Sequence, residues 1–301
     1  MADARPANAK QAQRWNGASG QYWIEHRERH LAEHQHLVPH LFRAAGISPG
    51  ERVLDVGCGC GTTTIEAARA ARGTTEASPP RRDPGGIAVG LDLSAPMLQV
   101  ARQLAAEAGP ANARFVRGDA QARPLRTDWC DAVISSFGVM FFDNPAAAFT
   151  SLAAVVRPGG RLAFLCWQDD TENEVFAVPL RAFAARTQLP PPADDLFVDP
   201  QRIRDLLSGT GWQDIQVASV TEPAWLGSDV DDVMDYVRGM PMIRDLSTRI
   251  NDPAATGRVL AAVAGEYAAR QSADGVWVRA AAWLVTARRG GRQTRSAGHF
   301  S

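Results

Sequence analysis

Val53-Leu54-Asp55-Val56-Gly57-Cys58-Gly59-Cys60-Gly61-Thr62 is the stretch whose reading decides the fold. An apolar run of strand character ends abruptly in three glycines at alternate positions. Glycine is needed where the backbone takes positive φ and where a ligand approaches too closely for a Cβ. A turn of this kind, at the carboxyl end of a buried strand and leading into a helix, is where α/β sheets bind their ligands. The spacing differs from the dinucleotide pattern G-x-G-x-x-G. The third glycine comes one residue early, and Thr62 stands where that pattern has its last glycine.

Working outward, Thr62 to Arg72 has helical periodicity, with Ile65, Ala68 and Ala71 on one face. Ile87–Leu91, Arg114–Arg117, Asp131–Ser135 and Arg161–Trp167 read as further strands. Helices are expected at Ala95–Ala108 and Pro145–Val156, the second capped by Asn144 with Pro145 in its first position. Regular alternation of strand and helix predicts a parallel sheet covered on both faces with right-handed crossovers. After Gln168 the rhythm changes. Helices are expected near Val175–Gln188 and Pro200–Ser208, a strand at Ile215–Val220, mostly helix from Val230 to Arg270, and a last strand at Val276–Ala287.

The predicted class is therefore α/β, a doubly wound Rossmann-like and mainly parallel seven-stranded sheet with a helical N-terminal cover and a helical lid insertion. Residues 1–46 form the cover, loose to about residue 14 and then helical from Gln21 to His36. Residues 47–168 form the core, 169–287 the lid and final strands, and 288–301 a polar tail expected to be disordered. Gly73 to Gly86 is expected to be a surface insertion.

Composition narrows the function. The formal net charge is −1, from 32 basic and 33 acidic residues, so no basic surface invites nucleic acid or an anionic membrane. Lys10 is the only lysine, which excludes a lysine-centred active site in the folded domain. Cys58, Cys60, Cys130 and Cys166 match neither a metal-ligand pattern nor a disulfide framework. With no signal peptide and no membrane-length apolar run, a cytoplasmic protein acting on a small molecule is expected. The oligomeric state is left open.

The glycine run resembles the first motif of class I S-adenosylmethionine-dependent methyltransferases. Later strand ends agree with it: Gly90-Leu91-Asp92-Leu93-Ser94, Gly118-Asp119-Ala120, and the turn Arg157-Pro158-Gly159-Gly160. The resemblance implies S-adenosyl-L-methionine as cofactor. Gly57, Cys58, Gly59 and Gly61 would cradle it, and Asp92, Leu93 and Met97 would hold its ribose end. Asp119 and Ala120 would meet the adenine, Ser135 would line the fourth strand's end, and Trp15 and Tyr22 would close from the cover. Asp55 is expected to orient the loop through backbone N–H groups, and the two loop cysteines to fill tight space.

At about 100° per residue, Ile24 and Leu31 share one face of the cover helix, expected to pack on the sheet. Tyr22, Trp23, His26, His30 and His34 gather on the other. His26 and His30 are the candidate general bases, since imidazole titrates near neutrality. A metal site through His26, His30 and His34 lacks an acidic partner motif, so no metal is expected. Trp23, Phe141, Phe142 and Met240 are candidates for the acceptor's walls, and Asp143 is read as a cap of the helix that follows. Methyl transfer to a small acceptor by in-line displacement is the implied reaction. Three alternatives stay open: intramolecular cyclisation of the cofactor's methionine chain, a non-catalytic binding protein, and a nicotinamide dehydrogenase, against which the glycine spacing argues.

Overall fold

The computed structural model describes residues 8–72, 85–122, 126–187 and 195–290. Its centre is the parallel run β3 (Ala113–Arg117), β2 (Ile87–Asp92), β1 (Arg52–Val56), β4 (Cys130–Ser136) and β5 (Val156–Trp167). Two long antiparallel strands complete the sheet: β8 (Gly275–Arg289) lies beside β5, and β6 (Trp212–Gly227) lies outside β8. The seven expected strands are present, and a two-residue β7 (Gln271–Ser272) pairs with β8 as an eighth. Because β1 runs out to β2 and β3 on one side while β4 and β5 build the other, the order reverses between β1 and β4. A crevice opens there at the strands' carboxyl ends.

The helices form where the sequence supplies faces and caps. α5 (Thr62–Arg72) buries Ile65, Ala67, Ala68 and Ala71. α6 (Ala95–Ala108) starts at Ser94, whose hydroxyl accepts from Met97 N–H. α7 (Pro145–Val155) starts at Asn144, whose side chain accepts from Ala147 N–H, so the cap is Asn144 and not Asp143. α8 (Glu174–Ala184) and α9 (Pro200–Ser208) follow β5. α10 (Val230–Gly239), α11 (Pro241–Ile250) and α12 (Pro253–Ala268) make the expected lid.

The cover departs from expectation in three ways. Helix begins earlier, at α1 (Ala9–Asn16), because Asn16 and Trp15 find partners on the core: Asn16 Oδ1 accepts from Ala95 N–H, and the Trp15 carbonyl accepts from Ser94 Oγ. The expected single helix from Gln21 is two, α2 (Ala18–Glu25) and α3 (Arg27–His34), broken at His26. Trp23, His30 and His34 line a cavity, as the aromatic and His face is expected to, but the apolar face is not the buried one. Leu31 is 44% exposed, whereas His30, Glu33 and His34 are buried. The pairing of those side chains with aromatic neighbours outweighs the hydrophobic pattern. A fourth helix, α4 (Val38–Ala45), buries Leu41 and ends at Gly46 in the left-handed region.

Arg288 and Arg289 belong to β8, so the tail starts later than expected. The insertion at 73–84, the proline-rich loop at 190–192 and the tail from 291 lie outside the described residues.

Candidate functional site

A cavity of about 830 Å³ fills the crevice, a size suited to a small cofactor together with an acceptor. Its floor is the glycine loop between β1 and α5. Gly57, Gly59 and Gly61 have φ of 68°, 52° and 86°. At Gly57 a Cβ would lie 2.7 Å from the Gly138 Cα, so that glycine is fixed by backbone packing as well as by dihedral angle. Cys58 and Cys60 also line the cavity, and burial pushes both thiols up, Cys60 to about 11, so they stay protonated.

Two carboxylates face the cavity from neighbouring strand ends. Asp92 holds the loop directly: one oxygen accepts from Gly59 N–H and the other from Ser94 N–H, each at 2.8 Å. Burial raises its pKa against those N–H groups. Asp119 accepts from Gln121 N–H at 2.9 Å and from the Asn8 side-chain amide at 3.3 Å. Leu93, Met97 and Ala120 line the same half of the cavity.

Asp55 acts differently from expectation. It is fully buried and does not bond the loop's N–H groups. One of its oxygens accepts from the hydroxyls of Thr63 and Thr64, both at 2.6 Å, and the other has no partner. Burial, with Asp92 adding to it, pushes the carboxyl up to about 6 despite the two hydroxyls. Ser135 is likewise behind the wall, donating to the Val56 carbonyl at 2.7 Å, and its neighbour Ser136 lines the cavity instead.

The remaining walls come from the cover, the β4 and β5 ends and the lid. Trp15, Trp23, His30 and His34 line the cavity, as do Phe141 and Phe142. Trp15 meets Phe141 edge-on at 4.9 Å. Tyr22, His26 and Met240 do not line it. Tyr22 stacks on Tyr236 and donates to its carbonyl at 3.3 Å. His26 packs against Tyr22 at 4.3 Å, its pKa lowered by burial and by His30 and Arg29. Met240 is buried in the core, and Met242 reaches the cavity in its place.

Several cavity residues carried no assignment in the sequence. Asn8 joins Asp119 to the Asp143 backbone N–H, and nothing in the sequence marks it. Phe137 follows β4 with φ of 60°, a strained angle for an aromatic residue. Its ring stacks on Trp167 at 4.1 Å and meets His34 at 4.6 Å. Trp167 and Ser136 stand at the ends of strands bordering the crevice, a position that singles them out once strand order is known. Among the described residues no group of His, Cys, Asp and Glu is arranged to hold a metal, and no helix is long and apolar enough to cross a membrane.

Residues 53–160 match the family described as a methyltransferase domain. An uncharacterized protein of Mycobacterium tuberculosis is 37% identical over 131 residues, 44% of this chain, and the match spans 42% of that relative's length. The demethylmenaquinone methyltransferase of Mycolicibacterium paratuberculosis is 30% identical over 194 residues, 59% of this chain and 74% of that protein. Among solved structures, the YcgJ protein from Bacillus subtilis superposes with a TM-score of 0.57 at 17% identity, covering 86% of this chain and all of that one. That likeness is one of fold. The chain belongs to the class I S-adenosylmethionine-dependent methyltransferase family.

Proposed function

We propose that this protein binds S-adenosyl-L-methionine and transfers its methyl group to a small, apolar, ring-bearing acceptor. One observation carries the reading: the glycine loop, Asp92 and Asp119 share a single cavity with a mainly aromatic and apolar wall, into which Arg27, Asp170, Arg181 and Asp245 are also set. The donor set suits the cofactor. Bare backbone can meet the methionine portion, Asp92 can accept from ribose hydroxyls, and Asp119 can accept from the adenine amino group. The bound cofactor supplies an activated methyl on a sulfonium, so the protein's task is alignment and exclusion of water. Trp23, Phe137, Phe141 and Trp167, which all line the cavity, serve that task.

The acceptor's character is inferred from Phe176, Leu180, Met242 and Leu246, which line the same cavity. The relatives named demethylmenaquinone methyltransferase support the same class. Calorimetry with S-adenosylhomocysteine, followed by mass spectrometry of products from a panel of ring-bearing acceptors, tests both parts. Binding and a mass gain of one methyl are expected. Absence of binding refutes the cofactor, and cofactor turnover without a methylated product points instead to cyclisation of its methionine chain.

A further inference from the structure

Asp119 is held between two amides whose orientation the backbone dictates. The N–H groups of Asp143 and Asn144, at the start of α7, donate to Asn8 Oδ1 at 3.1 Å and to Gln121 Oε1 at 2.6 Å. A backbone N–H only donates, so each amide turns its oxygen to α7 and its NH₂ to the other side. On that side stands one carboxylate. Asn8 Nδ2 donates to Asp119 Oδ1 at 3.3 Å, and Gln121 Nε2 donates to Oδ2 at 3.4 Å. The Gln121 backbone N–H adds a third donor, to Oδ1 at 2.9 Å. Asn8 is 3% exposed and, like Asp119, lines the cavity.

Asn8 forgoes a local bond to take this place. It is the N-cap of α1, where an asparagine side chain ordinarily accepts from the first N–H groups of the helix. Here it makes no such bond, and its backbone sits in the left-handed region at φ of 63°. The side chain reaches Asp119 and Asp143 instead. Oδ1 of Asp119 is thereby filled by two donors, whereas Oδ2 has one and can accept another.

We propose that Asn8 and Gln121 are positioning residues that fix Asp119 as the acceptor for a 6-amino group, so that the site takes an adenosyl ligand and rejects its 6-oxo counterpart. This rests on the reading of the cavity as an S-adenosylmethionine site and deepens it. A 6-aminopurine offers Oδ2 an N–H donor. A 6-oxopurine sets an acceptor against an acceptor and leaves both without a donor. The oxo base also carries a proton on its ring nitrogen N1, which a carboxylate free to turn could accept. Held by an amide on each oxygen, Asp119 does not turn to meet it. Asn8 comes from the cover and Gln121 from the core, so the cover takes part in reading the base.

The test is calorimetry on the full chain with S-adenosylhomocysteine and S-inosylhomocysteine, which carry an amino and an oxo group at the purine 6-position. The wild type is expected to bind the adenosyl compound about 100-fold more tightly. Asn8→Gly removes the amide and keeps the left-handed backbone accessible. It should cut that ratio about tenfold, and Gln121→Ala should do likewise. A loss of packing alone weakens both compounds alike and leaves the ratio where it was. Should one variant not fold, the other decides. Equal binding of the two compounds by the wild type, or a ratio unchanged in either folded variant, overturns the proposal. Failure of both variants to fold or to bind either compound also overturns it, since the amides would then serve the fold. Binding of neither compound by the wild type refutes the cofactor reading itself, so the two failures are distinguishable.

Discussion

Asp55→Asn tests whether the carboxylate under the glycine loop is held at an energetic disadvantage. Asp55 has an ordinary value of 3.8 and is pushed to about 6, chiefly by burial. At 1.36 kcal/mol per pH unit, the ionised form is disfavoured in the folded chain by about 3 kcal/mol relative to the unfolded one. The sign follows from the raised value. The folded state binds the proton more tightly, so the associated stability is fully present below pH 3.8 and is lost as pH rises through about 6. Above that pH the loss is complete.

Asparagine keeps an oxygen for the hydroxyls of Thr63 and Thr64, but it places an amide N–H₂ where Asp55 has its unpartnered oxygen. That exchange shifts stability by about 1–3 kcal/mol at every pH, so a single measurement at pH 7 is ambiguous and the pH dependence is decisive. Urea denaturation followed by tryptophan fluorescence, from pH 4 to pH 7.5, gives the difference between variant and wild type. Asp55→Asn should gain about 2–2.5 kcal/mol on the wild type across that window. Thr64→Val, which removes one donor, should move the window to higher pH. A difference that stays constant with pH would refute the reasoning, because no ionisation penalty would then exist to remove.

Other substitutions probe the site at separate points. Asp92→Ala should weaken S-adenosylhomocysteine binding by about 1–3 kcal/mol in calorimetry, since it removes the proposed ribose acceptor and frees Gly59 N–H; unchanged affinity would remove Asp92 from the proposed contacts. Gly57→Ala should destabilise the chain, by about 1–2 kcal/mol from the left-handed backbone alone and further from the approach to Gly138; denaturation of the unliganded protein reads this, and wild-type stability would disprove it. At Phe137 the usual order of truncations should invert. With φ of 60°, Phe137→Gly should be more stable than Phe137→Ala by about 1 kcal/mol, and the opposite order in melting experiments would show that the backbone there relaxes.

The core was legible because its rules are local. The loop from Gly57 to Gly61, the cap at Asn144 and the alternation of β1 to β5 follow from periodicity and turn chemistry, and all appear where expected. The cover was misread for the same reason. A hydrophobic stripe was the only local signal available between Gln21 and His36, and it placed Leu31 inward. The buried face is instead chosen by groups far away in the chain, namely Tyr236, Phe137 and Trp167 around His30 and His34. His26 and His30 looked alike as candidates on one helical face. The break at His26 separates them, so that only His30 reaches the cavity.

The cover is tied to the rest of the fold on both flanks. Arg29 of α3 reaches the Leu226 carbonyl and Asp232, lies over the Tyr236 ring at 4.8 Å, and so joins the cover to β6 and α10. Tyr22 adds a second tie to Tyr236. On the other flank, Trp15 and Asn16 are bonded to the start of α6 beside Asp92. The cavity is therefore walled by the cover, the strand ends and the lid around the glycine loop, and the cover also reaches Asp119 and the start of α6 beside Asp92, through Asn8, Trp15 and Asn16. On the methyl-transfer reading, α3 and α11 supply cavity walls other than Gly57, Asp92 and Asp119, so substitutions there separate acceptor choice from cofactor binding. A core of this kind can keep one methyl donor while the parts closing over it select different acceptors.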